Sequence, residues 1–140
     1  MTTITLTGGC VCGAVRYRAT GTPEMQGLCH CRNCQRLGGG GHVGFLCFPL
    51  EAVIVEGETR ETRGPGGSGQ PAERHFCPTC CSALFGLSEM MPGKINIYAG
   101  SLDDPGQFKP AFAIFTRSRR PWDLLPADIA AYETLPPNVI

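Results

Sequence analysis

The chain has 140 residues, with 12 Lys and Arg against 12 Asp and Glu, and only two of the basic residues are lysines. Charge so balanced leaves no electrostatic footprint for a polyanion, which sets aside nucleic acid and anionic membranes as expected partners. The length suits one domain with a real core, residues 1–140, and no apolar run nears the roughly 18 residues that a membrane span needs.

The N-terminus MTTITLTGGC has neither the basic flank nor the apolar stretch of a signal peptide, so a cytoplasmic protein is expected. In chain order, short β-branched or alternating runs recur at Ile4 and Leu6, Val15 to Tyr17, Val43 to Phe48, Val53 to Val55, Ile95 to Ile97 and Phe112 to Phe115. Each has strand length and is bounded by Gly or Pro. Helical periodicity is confined to one turn after Cys34 and a short piece around Ala127 to Tyr132. Nineteen glycines and twelve prolines fit many turns, and the expectation is an all-β, mainly antiparallel fold. Between Arg60 and Arg74 the stretch RETRGPGGSGQPAER has no large apolar residue and reads as an exposed, flexible loop, about 60–74, joining two strands.

Nine cysteines stand in clusters: Cys10 and Cys12; Cys29, Cys31 and Cys34; Cys77, Cys80 and Cys81; with Cys47 alone. An odd number in a reducing compartment argues for metal and against a disulfide framework. Cys10-x-Cys12 on an extended strand would present both sulfurs on one face, and the tight turn of Cys77-Pro-Thr-Cys80 would converge two more. Four thiolates close a tetrahedral zinc, whose binding energy then becomes folding energy.

Cys29, Cys31 and Cys34 offer three thiolates within six residues. One ion held there keeps a fourth position for water or an outside ligand, as catalytic zinc does. Three thiolates make the metal a weak Lewis acid but a good host for another soft ligand, such as a substrate thiol held deprotonated. The chemistry favoured is addition of a thiol to a carbonyl, or cleavage of the carbon–sulfur adduct. Alternatives stay open at this point: His30 ligates; Cys47, Cys81 or His42 closes the site, giving a non-catalytic zinc module; or the three cysteines are metal-free redox thiols.

GGCVCGAVRY, CHCRNCQRLGG, HFCPTC, GSLDDP and TRSRRPW, in that order from Thr7 to about Pro126, resemble the glutathione-dependent formaldehyde-activating (GFA) family, related to centromere protein V. The resemblance implies a β-tent fold of antiparallel sheets with two zinc ions. It implies structural-zinc positions for Cys10, Cys12, Cys77 and Cys80, and second-zinc positions for Cys29, Cys31 and Cys34, where a glutathione-type thiol coordinates. The implied activity is carbon–sulfur lyase chemistry on S-hydroxymethylglutathione, with glutathione or its aldehyde adduct as partner. The chain departs from the family at CPTCC, where Cys81 replaces a glycine suited to positive φ, and at Ala113, near which a histidine is common.

Cys81 is expected to be a half-buried small side chain. Ser101, Asp103 and Asp104 read as turn chemistry, with substrate binding as the rival role. Trp122 reads as a core or rim aromatic. Arg117, Arg119 and Arg120 can grip carboxylates or form a solvated face. His42 after the glycine run can approach the second metal, and His75 is expected to support the cysteines beside it without ligating.

Overall fold

A computed structural model describes residues 4–137. Eleven strands and one α-helix, besides short 3-10 turns, follow in order among them: β1 Thr5–Gly9, β2 Arg16–Thr20, β3 Met25–Cys29, α1 Arg32–Gly38, β4 Val43–Pro49, β5 Val53–Glu56, β6 Arg60–Pro65, β7 Pro71–Phe76, β8 Ala83–Ser88, β9 Lys94–Tyr98, β10 Phe112–Ile114 and β11 Ala130–Ala131. The fold is all-β and mainly antiparallel. A three-stranded sheet runs β1-β2-β5, and an eight-stranded one runs β11-β10-β3-β4-β9-β8-β7-β6. Only β10 pairs in parallel, with β3 and with β11. No described helix is long and apolar enough to cross a membrane.

Period-two patterning accounts for the small sheet. Along β2, Tyr17 and Ala19 are buried while Arg16, Arg18 and Thr20 face out. β4 lies inside the large sheet and is buried from Phe45 to Phe48, because both of its faces are covered. Alternation along this strand divides the interior. Leu46 and Phe48 join Leu6, Tyr17, Ile95 and Ile97 in the main core, whereas Phe45 joins Cys29, Cys31, Ile114 and Phe115 in a second apolar cluster. Full burial of Leu46 or Phe48 contributes about 1.5–3 kcal/mol each.

Asp103 ties the sheets together. Its backbone N–H donates to Thr7 O (2.9 Å), and its carboxylate accepts from Thr7 Oγ1 (2.7 Å) and Arg16 Nη1 (2.8 Å). Tyr17 and Ser101 hydroxyls meet at 2.6 Å, and Asp104 Oδ1 accepts from Gly106 N. GSLDDP is therefore turn and tether chemistry, as its composition suggests.

Two expectations are corrected. The flexible loop expected at about 60–74 is the β6–β7 hairpin, paired from Arg60↔Phe76 to Pro65↔Pro71 with a short turn between. Its polarity reflects the place of β6 as the last strand of the large sheet, exposed along most of its length. The helix expected around Ala127 to Tyr132 does not form: Asp128 holds a left-handed φ of 64°, and Ala130–Ala131 adds to the sheet edge instead.

Candidate metal centres

Cys10, Cys12, Cys77 and Cys80 converge, with all four sulfurs within 4.8 Å of one another. Cys10 and Cys12 do not share the face of a strand; they lie in the turn after β1, closed by Cys10 N to Val15 O (3.1 Å) and Gly13 N to Cys10 O (3.2 Å). Cys10 Sγ and Cys12 Sγ are 3.6 Å apart, and Cys12 Sγ and Cys77 Sγ 3.7 Å across 65 residues of chain. Backbone N–H groups point at the sulfurs: Val15 N at Cys10 (3.2 Å), Thr79 N and Cys80 N at Cys77 (3.4 and 3.5 Å). At Cys10 the bond from Val15 N favours thiolate over thiol. Ser82 braces both halves, its Oγ accepting from Val11 N (3.0 Å) and lying 3.1 Å from Cys80 Sγ, which holds that thiol down at about 5.

The second set is built at the junction of β3 and α1. Cys29 ends the strand, Cys31 is the helix N-cap whose Sγ accepts from Cys34 N (3.3 Å), and Cys34 sits in the first helical turn. All three sulfurs lie within 4.8 Å of one another, and among the described residues no fourth Cys, His, Asp or Glu donor completes the group. Hydrogen bonds from Cys29 and Cys34 pull Cys31 down to about 2. Cys29 is pushed well above its ordinary value by the bonds to Cys31 and Cys34 and by burial. At Cys34 the contact with Cys29 lowers the value, but Cys31 and burial prevail and raise it to about 12. Three thiols this close repel one another when more than one is ionised. A divalent cation relieves the conflict, so both cysteine sets fit a metal ion.

Gln35, inside α1 and buried, donates through Nε2 to His30 O and Ser118 O, each at 2.8 Å. It fixes the cysteine loop against the turn at residues 116–118. Gly67, at the tip of the β6–β7 hairpin, lies over the site, and Asn33 Nδ2 donates to Pro65 O (2.8 Å). The sequence marks neither relationship; Gln35 stands in CHCRNCQ with no pattern that predicts burial.

His30 is not a fourth ligand of this set. It is fully buried, with Nδ1 3.2 Å from Asp123 Oδ2, while His42 Nδ1 lies 2.9 Å from the same oxygen. His30, His42 and Asp123 form their own donor group. Gly41 permits the approach, since a Cβ there would lie 2.3 Å from Asp123 Oδ2. His42 thus faces Asp123 and not the cysteines. Nor does Cys47 close either set; it is a buried core residue whose thiol burial pushes up to about 11.

Other expectations are corrected by position. Cys81 is exposed, not half-buried, and carries a left-handed φ of 64° where glycine would suit. Trp122 is 70% exposed, so indole area is not buried there. His75 does not support Cys77; it stacks on Phe85, with Thr59 Oγ1 2.8 Å from Nδ1 and Glu73 Oε2 3.1 Å from Nε2. Arg119 donates to the carbonyls of Arg120 and Asp123, and none of Arg117, Arg119 and Arg120 lines the cavity beside the three cysteines.

That cavity, about 130 Å³, has Cys29, Cys31 and Cys34 in its wall. Tyr98 also lines it; burial, with Cys34 nearby, pushes its hydroxyl up, so it is a neutral hydrogen-bonding group.

Compared with known proteins, residues 5–118 match the family model described as "Glutathione-dependent formaldehyde-activating enzyme". A Halomonas elongata protein named "Putative glutathione-dependent formaldehyde-activating enzyme" is 33% identical over 103 residues, which are 70% of this chain and 66% of that protein, just under two thirds of its length. A crystal structure of a Rhodobacter sphaeroides protein superposes with a TM-score of 0.53 at 20% identity, covering 90% of this chain and 98% of the other; this likeness concerns the fold alone.

Proposed function

The chain belongs to the glutathione-dependent formaldehyde-activating family, and on that premise we propose that it is a zinc-dependent carbon–sulfur lyase. It joins a small thiol such as glutathione to an aldehyde, or cleaves the adduct, in the manner of an S-(hydroxymethyl)glutathione synthase. The observation that carries this reading is the three-sulfur group, without a fourth donor among the described residues, set in a cavity wall.

Thiolate donors favour zinc in both cysteine sets. Cys10, Cys12, Cys77 and Cys80 would hold a structural ion, coordinatively closed, stapling the β1–β2 turn to the β7–β8 turn. Cys29, Cys31 and Cys34 would hold the second, with a position left for substrate sulfur. Zinc bound there supplies positive charge that favours the deprotonated form of a substrate thiol. The protein's own part is to place and enclose. Gln35 holds the cysteine loop, the hairpin tip at Gly67 covers one side, and Tyr98 adds a neutral hydroxyl to the cavity wall.

The reading is tested by following loss of free thiol and aldehyde with zinc-loaded protein, wild type and Cys31→Ser. A rate above the spontaneous reaction that vanishes in the variant is expected. Wild type no faster than the spontaneous reaction, together with a fourth protein ligand seen by zinc X-ray absorption, would turn the reading to a non-catalytic zinc module.

A further inference from the structure

The cavity beside Cys29, Cys31 and Cys34 is built for more than a one-carbon aldehyde. Its apolar wall includes Met25, Phe45, Leu87, Met91, Phe112 and Leu135, drawn from β3, β4, β8, the β8–β9 turn, β10 and the C-terminal segment. Charge is scarce there. Glu73 and Arg74 contribute one of each sign, and the arginines of the TRSRR segment lie elsewhere.

From this wall we propose that the adduct made or cleaved here carries an apolar substituent on its aldehyde carbon. The proposal rests on the lyase reading above and names the class of aldehyde. Formaldehyde has only hydrogens on that carbon and would leave the apolar wall without contacts, whereas an alkyl or aryl group fills it. Glutathione is charged at both ends and finds little charge complementarity in the cavity, so its peptide extends through the mouth with only the sulfur end inside. The step balances without redox change: the thiol sulfur bonds to the carbonyl carbon, the C=O π bond breaks, and the thiol proton ends on oxygen.

The test separates binding from chemistry. Isothermal titration of zinc-loaded protein with S-methylglutathione and S-hexylglutathione, inert mimics of a short and a long adduct, reads the wall directly. Burial is worth about fourfold per methylene, so at least about tenfold tighter binding of the hexyl compound is expected. Met91→Ser and Phe112→Ser, on different elements, should each shrink that ratio. Equal affinities for the two mimics, no binding of either, or a ratio that both wall variants leave intact would overturn the proposal. Thiol consumption with hexanal and formaldehyde is then followed separately. A hexyl preference in binding with no turnover of either aldehyde would sink the lyase reading and leave the apolar ligand site standing.

Discussion

Gly67 and Cys31 are in contact: a Cβ on Gly67 would sit 2.9 Å from the Cys31 Cβ and 3.0 Å from the Phe115 ring. The tip of a polar edge hairpin is thereby seated on the second cysteine site. Gly67→Ala should push the tip away, lowering stability by about 1–3 kcal/mol as overpacking does. Metal retained by Cys29, Cys31 and Cys34 should become easier to strip. Chelator competition and thermal unfolding check this, and unchanged values in both would show that the tip does not press on the site.

The two cysteine sets should respond differently to removal of one ligand. Cys12→Ser breaks a set that links turns 65 residues apart, so it should lose a metal ion and much of the cooperative unfolding transition. Cys31→Ser should lose one ion while keeping that transition, because β3 and α1 are adjacent in the chain. Metal analysis of anaerobically purified protein beside melting curves gives the comparison. The same stoichiometry in wild type and Cys31→Ser would remove the second ion from the account.

Gln35→Leu keeps the volume of a buried helical side chain but deletes both hydrogen bonds from Nε2, to His30 O and Ser118 O. Two carbonyls lose their donor, and a loss of about 2–3 kcal/mol is expected. Denaturant unfolding measures it, and a loss below about 0.5 kcal/mol would mean that water replaces the amide.

Cys81 holds a φ of 64° in an exposed position. Glycine adopts that backbone without the Cβ penalty of about 1–2 kcal/mol, so Cys81→Gly should stabilise the protein by an amount of about 1 kcal/mol. The variant should also lose one rapidly alkylated thiol, which mass spectrometry counts.

Asp103 is held down at about 2, below its ordinary 3.8, first by the hydrogen bond from Arg16 and then by that from Thr7. A depressed carboxylate stabilises the fold above its unfolded value and stops doing so as pH falls through the folded one. Asp103→Asn should therefore melt below wild type at pH 7, with the gap closing between about pH 4 and pH 2. A gap that stays constant with pH would assign the difference to packing.

Much of the site's donor inventory was legible from spacing alone. Four cysteines at two short intervals, and three more within six residues, are rare enough outside metal sites that their grouping needed no structure. The strands at Val43 to Phe48 and Ile95 to Ile97 were legible too, because burial on a pleated surface selects β-branched and aromatic residues. β3 and β8 escaped notice, since MQGLC and ALFGLS contain glycines and lack alternation. His30 shows the limit at single-residue scale: lying between two candidate ligands says nothing about which way the imidazole turns, and here it turns toward Asp123.

The residues themselves thus determined the candidate donors, their partition into a set of four and a set of three, and the β character of the chain, because these depend on short-range spacing and side-chain chemistry. Only the tertiary structure decided what surrounds the three-cysteine set. The Gly67 tip over Cys31, the Gln35 tether, the withdrawal of His30 to Asp123 and the apolar wall from Met25 to Leu135 all join segments distant in sequence. Contacts of that kind depend on strand order and on the face each strand presents, which local pattern does not encode.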